Sequence, residues 1–213
     1  MSEDVNRRRS YNSTRRQEQA RATRRNVIAT AHRLFAADGY AATTVASVAA
    51  AAGVSVETVY KAFGNKPGLV KAVFDVAVVG DDEAVPMMQR EFVRRTSAEP
   101  DPRKKLEGYG DHVAEVGART GPVLLAVRAA AADPGAAEVW AQLQGERLTG
   151  MTAFAGHLHD GGFLRADVSS EEARDVLWVH NSVELWDLLV NQRGWADQRF
   201  GRWVGQQLIA ALL

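Results

Sequence analysis

The chain of 213 residues has no cysteine, which excludes a disulfide framework, a thiol nucleophile and any zinc site built on thiolates, and agrees with a reducing compartment. No apolar run nears the roughly 18 residues a membrane-spanning helix needs. The basic N-terminus has no apolar stretch after it and does not read as a secretory signal. Catalytic and metal signatures are missing too. There is no HExxH, Gly64-Asn65-Lys66-Pro67-Gly68 is too short for a phosphate-cradling Walker loop, and no serine sits in a GxSxG setting. His157 and His159 are two apart, hence on different faces of a helix, with no nearby carboxylate to complete a ligand set. We expect no catalytic residue, no metal and no cofactor. Long disorder is disfavoured, because 46% of the residues are apolar and can build a core.

Net charge is also absent: 26 basic residues face 26 acidic ones. That balance argues against a polyanionic partner only if the charge is evenly spread, and it is not. The first 79 residues hold twelve basic against six acidic side chains, a net of +6, and the remaining 134 carry −6. Eight arginines, Arg7 to Arg9, Arg15, Arg16, Arg21, Arg24 and Arg25, lie within the first 25 residues. Such asymmetry reads as an anion-binding end joined to a part with another task, or as a solubilising tail.

The pattern divides the chain into three: a basic, disordered arm over 1–19, a helical domain over 20–79 and a second helical domain over 80–213. From Arg21, Val27/Ile28, Ala31 and Leu34/Phe35 recur at helical spacing and stop at Asp38-Gly39. Thr44 caps a short helix, Val45 to Ala52; Ser55 caps another, Val56 to Phe63; Asn65 and Pro67 open a fourth. Residues 80–101 read as an irregular connection with one helical segment at most. Beyond it come a stripe from Leu106 that closes at Gly121-Pro122, a short helix from Val123 to Ala132, a long helix opened by Asp133-Pro134, one capped by Ser169 or Ser170, and a last one after Gly194. No strand alternation is present. The fold class is all-α.

The helix–glycine–helix from Thr44 to Phe63 has the small alanines and the Gly53 turn that let two helices approach closely and project the second into a major groove. On that second helix Val54, Val59 and Phe63 take inward positions, leaving Glu57, Thr58, Tyr60 and Lys61 outward. Most such pairs are packing units only; the basic stretch beside this one favours a DNA partner.

The run TTVASVAAAAGVSVETVYKAFGNKPGLV (Thr43 to Val70), after a helix ending LFAADGYAA, resembles the N-terminal domain of TetR-family transcriptional repressors. The match includes Phe35, Gly39, Tyr40, Thr43-Thr44, Val48-Ala49, Ala52-Gly53-Val54-Ser55, Thr58, Tyr60, Phe63, Lys66 and Leu69 over roughly 50 residues. The resemblance implies an N-terminal helix-turn-helix DNA-binding domain and a C-terminal helical effector-binding and dimerisation domain. It places Val56 to Phe63 as the recognition helix, with Tyr60, Lys61 and Lys66 approaching phosphates and Thr44 offering a phosphate the hydroxyl and amides of a helix start. Ser55, Thr58, Arg24 and Arg25 complete the expected DNA-binding set. Val56 and Glu57 depart from the Lys, Arg or Gly common there: valine packs on a thymine methyl, and glutamate accepts from cytosine N4 or simply favours the helix dipole.

In the C-terminal part, Val176, Val179, Val183, Trp186 and Val190 form one apolar row on a helix whose other row holds Leu177, Leu185 and Leu188. Phe200, Val204 and Leu208 recur on the last helix. The resemblance makes these a homodimer interface; periodicity alone leaves a monomer open. Tyr109, His112, Trp140, Arg147, Trp178 and Asn181 are the candidate ligand-binding residues, and each is also readable as structural.

The expectation is a homodimeric, ligand-responsive transcriptional regulator, a repressor, cytoplasmic and without a membrane. Its partners are double-stranded DNA bearing a palindromic operator and a small-molecule effector of unknown identity. The alternatives are a DNA-binding regulator without an effector and, more distantly, a helical enzyme or carrier.

Overall fold

The computed structural model describes residues 2–83 and 85–213, with side-chain surroundings from Arg16 onward. Among these the fold is helical throughout, with no strand. Helix α1 (Ser2–Ala42) is interrupted at Gly39, whose φ of 79° and ψ of 172° are open to glycine but not to a β-carbon residue. It reaches further back than expected: Arg16 to Gln19 are helical, not part of an irregular arm, and the rest of that arm, residues 1–15, lies outside the residues whose side chains are described.

Helices α2 (Val45–Ala52), α3 (Val56–Phe63) and α4 (Lys66–Val79) start and stop where their caps require. Thr44 and Ser47 form a reciprocal capping box, the Ser55 hydroxyl accepts from the Thr58 amide, and Asn65 Oδ1 accepts from Gly68. Val27, Ile28, Phe35, Val48, Val59 and Leu69 are buried together, and the Phe35 and Tyr40 rings stack with centroids 6.1 Å apart. Asn26 on α1 donates to the Ala52 carbonyl at 2.9 Å, closing the end of α2.

After a short 3-10 turn (Met87–Gln89) and α5 (Glu91–Ala98), α6 (Pro102–Ala129) forms the axis of the second domain. It runs unbroken through Pro122, where the sequence pattern predicted one helix to end and another to begin. The ring removes one backbone hydrogen bond, a cost of about 3 kcal/mol. Burial offsets it, because Val123, Leu124 and Val127 continue the stripe of Leu106, Tyr109 and Val113, at roughly 1.5–3 kcal/mol for each fully buried side chain. Helix α10 (Asp197–Leu212) crosses α6 where Gly110 meets Gly201 and Gly205; a β-carbon on Gly110 would lie 2.6 Å from the Gly205 nitrogen.

Helix α7 (Pro134–Asp160) is capped by Asp133 as expected, and α8 (Ser170–His180) by Ser169. The helix predicted to continue to residue 190 instead breaks at Asn181. Ser182 caps a new turn, α9 (Val183–Trp186), which passes into a π-helical segment, Asp187–Gln192. The break is stabilised from α7, since Arg147 donates to the carbonyls of Trp178 and Asn181. It also redistributes the expected dimer residues. Val183 and Trp186 turn inward; Phe200, Val204 and Leu208 are fully buried inside the chain, so they cannot touch a partner. Val176 and Val190 are partly buried, and Val179 remains 47% exposed.

Candidate DNA interface and ligand cavity

Helix α3 buries only Val59 and presents the rest of its surface. Val56 is 40% and Tyr60 51% exposed, and Glu57, Thr58 and Lys61 are exposed beside them. Exposed apolar and aromatic side chains on an eight-residue helix are what a helix entering a groove would offer. Ser55 and Thr58 share a hydroxyl–hydroxyl hydrogen bond of 2.8 Å, so both serve the cap first. Thr44 is exposed at the start of α2, where the first-turn amides of a helix lack intrahelical acceptors and suit an anion. Arg25 is exposed on α1.

Two residues of the expected DNA-binding set are turned elsewhere. The Lys66 ammonium lies 3.9 Å from the centroid of the Tyr40 ring, and burial lowers its pKa. Tyr40 itself is pushed up to about 12, first by burial and then by Asp133 at the head of α7. Arg24 lies over the Phe63 ring at 4.7 Å, donates to the Ala62 carbonyl at 3.4 Å and pairs with Asp82 at 3.3 Å. Both cations therefore hold the first domain together or tie it to the second, because desolvated aromatic faces and a carboxylate compete for them.

Between α4, α5, α6, α7 and α9 lies a cavity of about 1050 Å³, within or slightly above the range that holds a drug-sized molecule. Of the expected ligand residues, Tyr109, His112, Arg147 and Asn181 line it. Trp140 does not, and Trp178 stands behind Arg147, its ring 4.3 Å from the guanidinium. The Tyr109 hydroxyl donates to the Met151 sulfur and accepts from Asn181 Nδ2, and burial raises its pKa. The His112 ring stacks on Phe92 at 3.4 Å between centroids and is held down to about 4, by burial first and then by Arg119 and Arg95, so it is neutral near pH 7.

Sequence reasoning missed Phe92, Thr120, Gln144, Met151 and Trp186 in the cavity wall. Trp186, expected at a dimer interface, packs its indole on Gly117 and Gly121; a β-carbon on Gly117 would lie 2.6 Å from Trp186 Cδ1. Those two glycines, four apart on one helix face, were the available signal. Phe92 lies in the stretch read as irregular and had none.

The wall is mechanically joined to the first domain. Arg119 on α6 donates to the carbonyls of Ala77 and Val78 at 2.7 and 3.1 Å, capping the C-terminal end of α4. His32 on α1 is 2.7 Å from the Arg119 carbonyl.

Residues 27–73, which span this helix-turn-helix, match the family described as bacterial regulatory proteins, tetR family. The helix-turn-helix segment is of the TetR type. Solved structures extend the likeness to the whole fold. The fatty acid degradation regulator FadR from Bacillus halodurans is 18% identical, with a TM-score of 0.68 over 88% of this chain and 98% of that one. SmeT, solved as a complex with triclosan, is 22% identical, with a TM-score of 0.66 over 90% and 92%. NalD, a secondary repressor of a multidrug efflux pump in Pseudomonas aeruginosa, is 15% identical, with a TM-score of 0.69 over 92% and 98%. No curated protein matches the sequence. The geometry here divides into an exposed short helix within the matched segment and a ligand-sized cavity beyond it. Among the described residues no helix is long and apolar enough to cross a membrane, and no cluster of three or more His, Asp or Glu is placed to hold a metal.

Proposed function

We propose that the chain is a homodimeric repressor that binds a palindromic operator through paired α3 helices and is released when a small molecule enters the α6–α7–α9 cavity. The observation that carries this reading is the Arg119 link, which makes the cavity's central helix the cap of the helix that closes the DNA-binding domain. A ligand that favours one position of α6 thereby favours one position of α4 and of α3 packed against it. DNA and ligand would prefer different separations of the two α3 helices, and the coupling must be reciprocal.

The solved relatives support a ligand-responsive reading: one is a fatty acid degradation regulator and another was captured with triclosan. The proposed DNA contacts are Thr44, Val56, Glu57, Tyr60, Lys61 and Arg25, with Ser55 and Thr58 holding the start of α3. Tyr109, His112, Arg147 and Asn181 are the proposed ligand contacts. For the dimer we place the interface on the outward sides of α8 and α10, where Val179 is exposed and Val176 and Trp203 are part-exposed. Two-fold pairing there would match the symmetry of a palindrome. As a DNA-bound regulator the protein would act in the cytoplasm.

The test is selection of bound duplexes from a random pool by the purified protein, followed by titration of the recovered duplex with candidate ligands. An inverted repeat and ligand-induced dissociation are expected. Recovery of no motif at moderate salt, or sedimentation as a monomer at micromolar concentration, would remove the operator or the dimer from the proposal.

A further inference from the structure

Arg147 lines the cavity, and its surroundings are unusual for a half-buried guanidinium. Its Nη1 is fixed by the carbonyls of Trp178 and Asn181, and the Trp178 ring covers one face. The other edge, Nε and Nη2, is where a carboxylate normally docks with two parallel hydrogen bonds. Here both groups point at one neutral atom, Gln144 Oε1, at 3.1 and 2.7 Å.

Among the described residues no carboxylate pairs with Arg147. Glu184, whose charge it feels, is paired with Arg128 at 2.9 Å. Of the other cations lining the cavity, Lys71 pairs with Asp75 and Glu146, Arg90 with Asp81 and Arg24 with Asp82, while Arg21 is solvent-exposed. Burial lowers the Arg147 pKa, as desolvation of an uncompensated charge requires. His112, being neutral, adds no like charge. A charge withdrawn from water is ordinarily paired, and the fork edge of this one meets only a neutral amide oxygen.

We propose that the cavity's ligand is an apolar acid whose carboxylate takes the Nε/Nη2 edge of Arg147, displacing the Gln144 amide oxygen, while its hydrocarbon body lies against Phe154, Leu143 and Trp186. The assignment rests on the reading of this cavity as the effector site and names the class of effector. A cationic ligand is disfavoured by the same uncompensated guanidinium.

The experiment uses the full chain and the neutral fluorescent probe N-phenyl-1-naphthylamine, displaced by two matched pairs: 2-naphthoate with 2-naphthamide, and biphenyl-4-carboxylate with biphenyl-4-carboxamide. Each pair differs in charge and hardly in shape. The acids are expected to displace the probe at about tenfold lower concentration than their amides, as charge-assisted bidentate bonds exceed neutral ones. Gln144→Glu places the protein's own carboxylate on the fork, and should abolish that preference. Arg147→Met should abolish it as well, and Gln144→Ala should sharpen it.

Equal displacement by acid and amide in the parent protein, or by neither, overturns the proposal while leaving the cavity a site for neutral ligands. So does an acid preference that survives Gln144→Glu. Failure of the probe itself to bind would instead overturn the effector-cavity reading, and this assignment with it.

Discussion

Arg24 on α1 and Asp82 after α4 form an ion pair at 3.3 Å at the rim of the cavity. The same guanidinium covers Phe63 and donates to Ala62 at the end of α3. The neighbouring Asp81 accepts from Arg90 at 2.6 Å, ahead of α5, which covers one side of the cavity. A shift of the rim would reach α3 through these two adjacent aspartates and Arg24. Asp82→Asn should leave the protein within about 1 kcal/mol of its parent stability, since a part-exposed pair contributes little. Ligand-induced release from the selected duplex should weaken markedly while ligand affinity stays unchanged. Chemical denaturation and DNA anisotropy with and without ligand give both readouts, and unaltered release would remove this route of coupling.

Lys61 is exposed on α3, with no ion-pair partner among the described residues. If it neutralises a phosphate, Lys61→Ala should weaken binding to all duplexes alike and lower the slope of log affinity against log salt by about 0.9 per protomer. Tyr60→Ala should weaken binding with little change in that slope, because it removes a neutral contact. A Lys61→Ala slope equal to the parent's would place that side chain off the backbone.

The first domain was legible residue by residue because its signals are local. Thr44, Gly53, Ser55, Gly64 and Asn65 each end or begin a helix through atoms within three or four positions, and the structure keeps every one. The second domain was legible in outline only. Pro122 reads as a stop, and only the burial of Val123, Leu124 and Val127 by distant helices makes α6 continuous. The rows from Val176 to Val190 read as one helix, and the break at Asn181 is held by Arg147, more than thirty residues away, together with Tyr109 and the Ser182 cap. Trp186, Phe200, Val204 and Leu208 have the spacing of an interface, yet pack inside their own chain. Periodicity reports that a face is buried, not by what. Lys66 and Arg24 were misplaced for a related reason: a charge in a DNA-binding domain suggests phosphate, whereas Tyr40, Phe63 and Asp82 compete for it at closer range.

The crossing of α6 and α10 rests on backbone-to-backbone approach at Gly110, Gly201 and Gly205. Neither partner at Gly110 is a flexible side chain able to move aside. Gly110→Ala should therefore force the helices apart and destabilise the fold by about 1–3 kcal/mol, the usual cost of overpacking. Gly108→Ala, on the same helix where an added β-carbon meets nothing within 4 Å, serves as control and should be neutral or slightly stabilising. Urea denaturation compares the two, and equal midpoints would mean the crossing relaxes more easily than its geometry implies.

The depressed pKa of His112 makes stability depend on pH in a defined window. Burial and the nearby Arg119 and Arg95 hold the imidazole at about 4, against about 6.5 in the unfolded chain. Between these values the unfolded state binds the proton and the folded state does not, so stability rises with pH there. The contribution is complete above about pH 6.5, is lost progressively as pH falls to about 4, and amounts to roughly 3 kcal/mol across the window. His157, lowered by burial and by Lys105, acts in the same direction. His112→Phe keeps a ring to stack on Phe92 but cannot take a proton, so its stability should fall less than the parent's between pH 6.5 and 4. Denaturant midpoints at several pH values measure the difference, and parallel curves for the two proteins would show that His112 titrates normally in the fold.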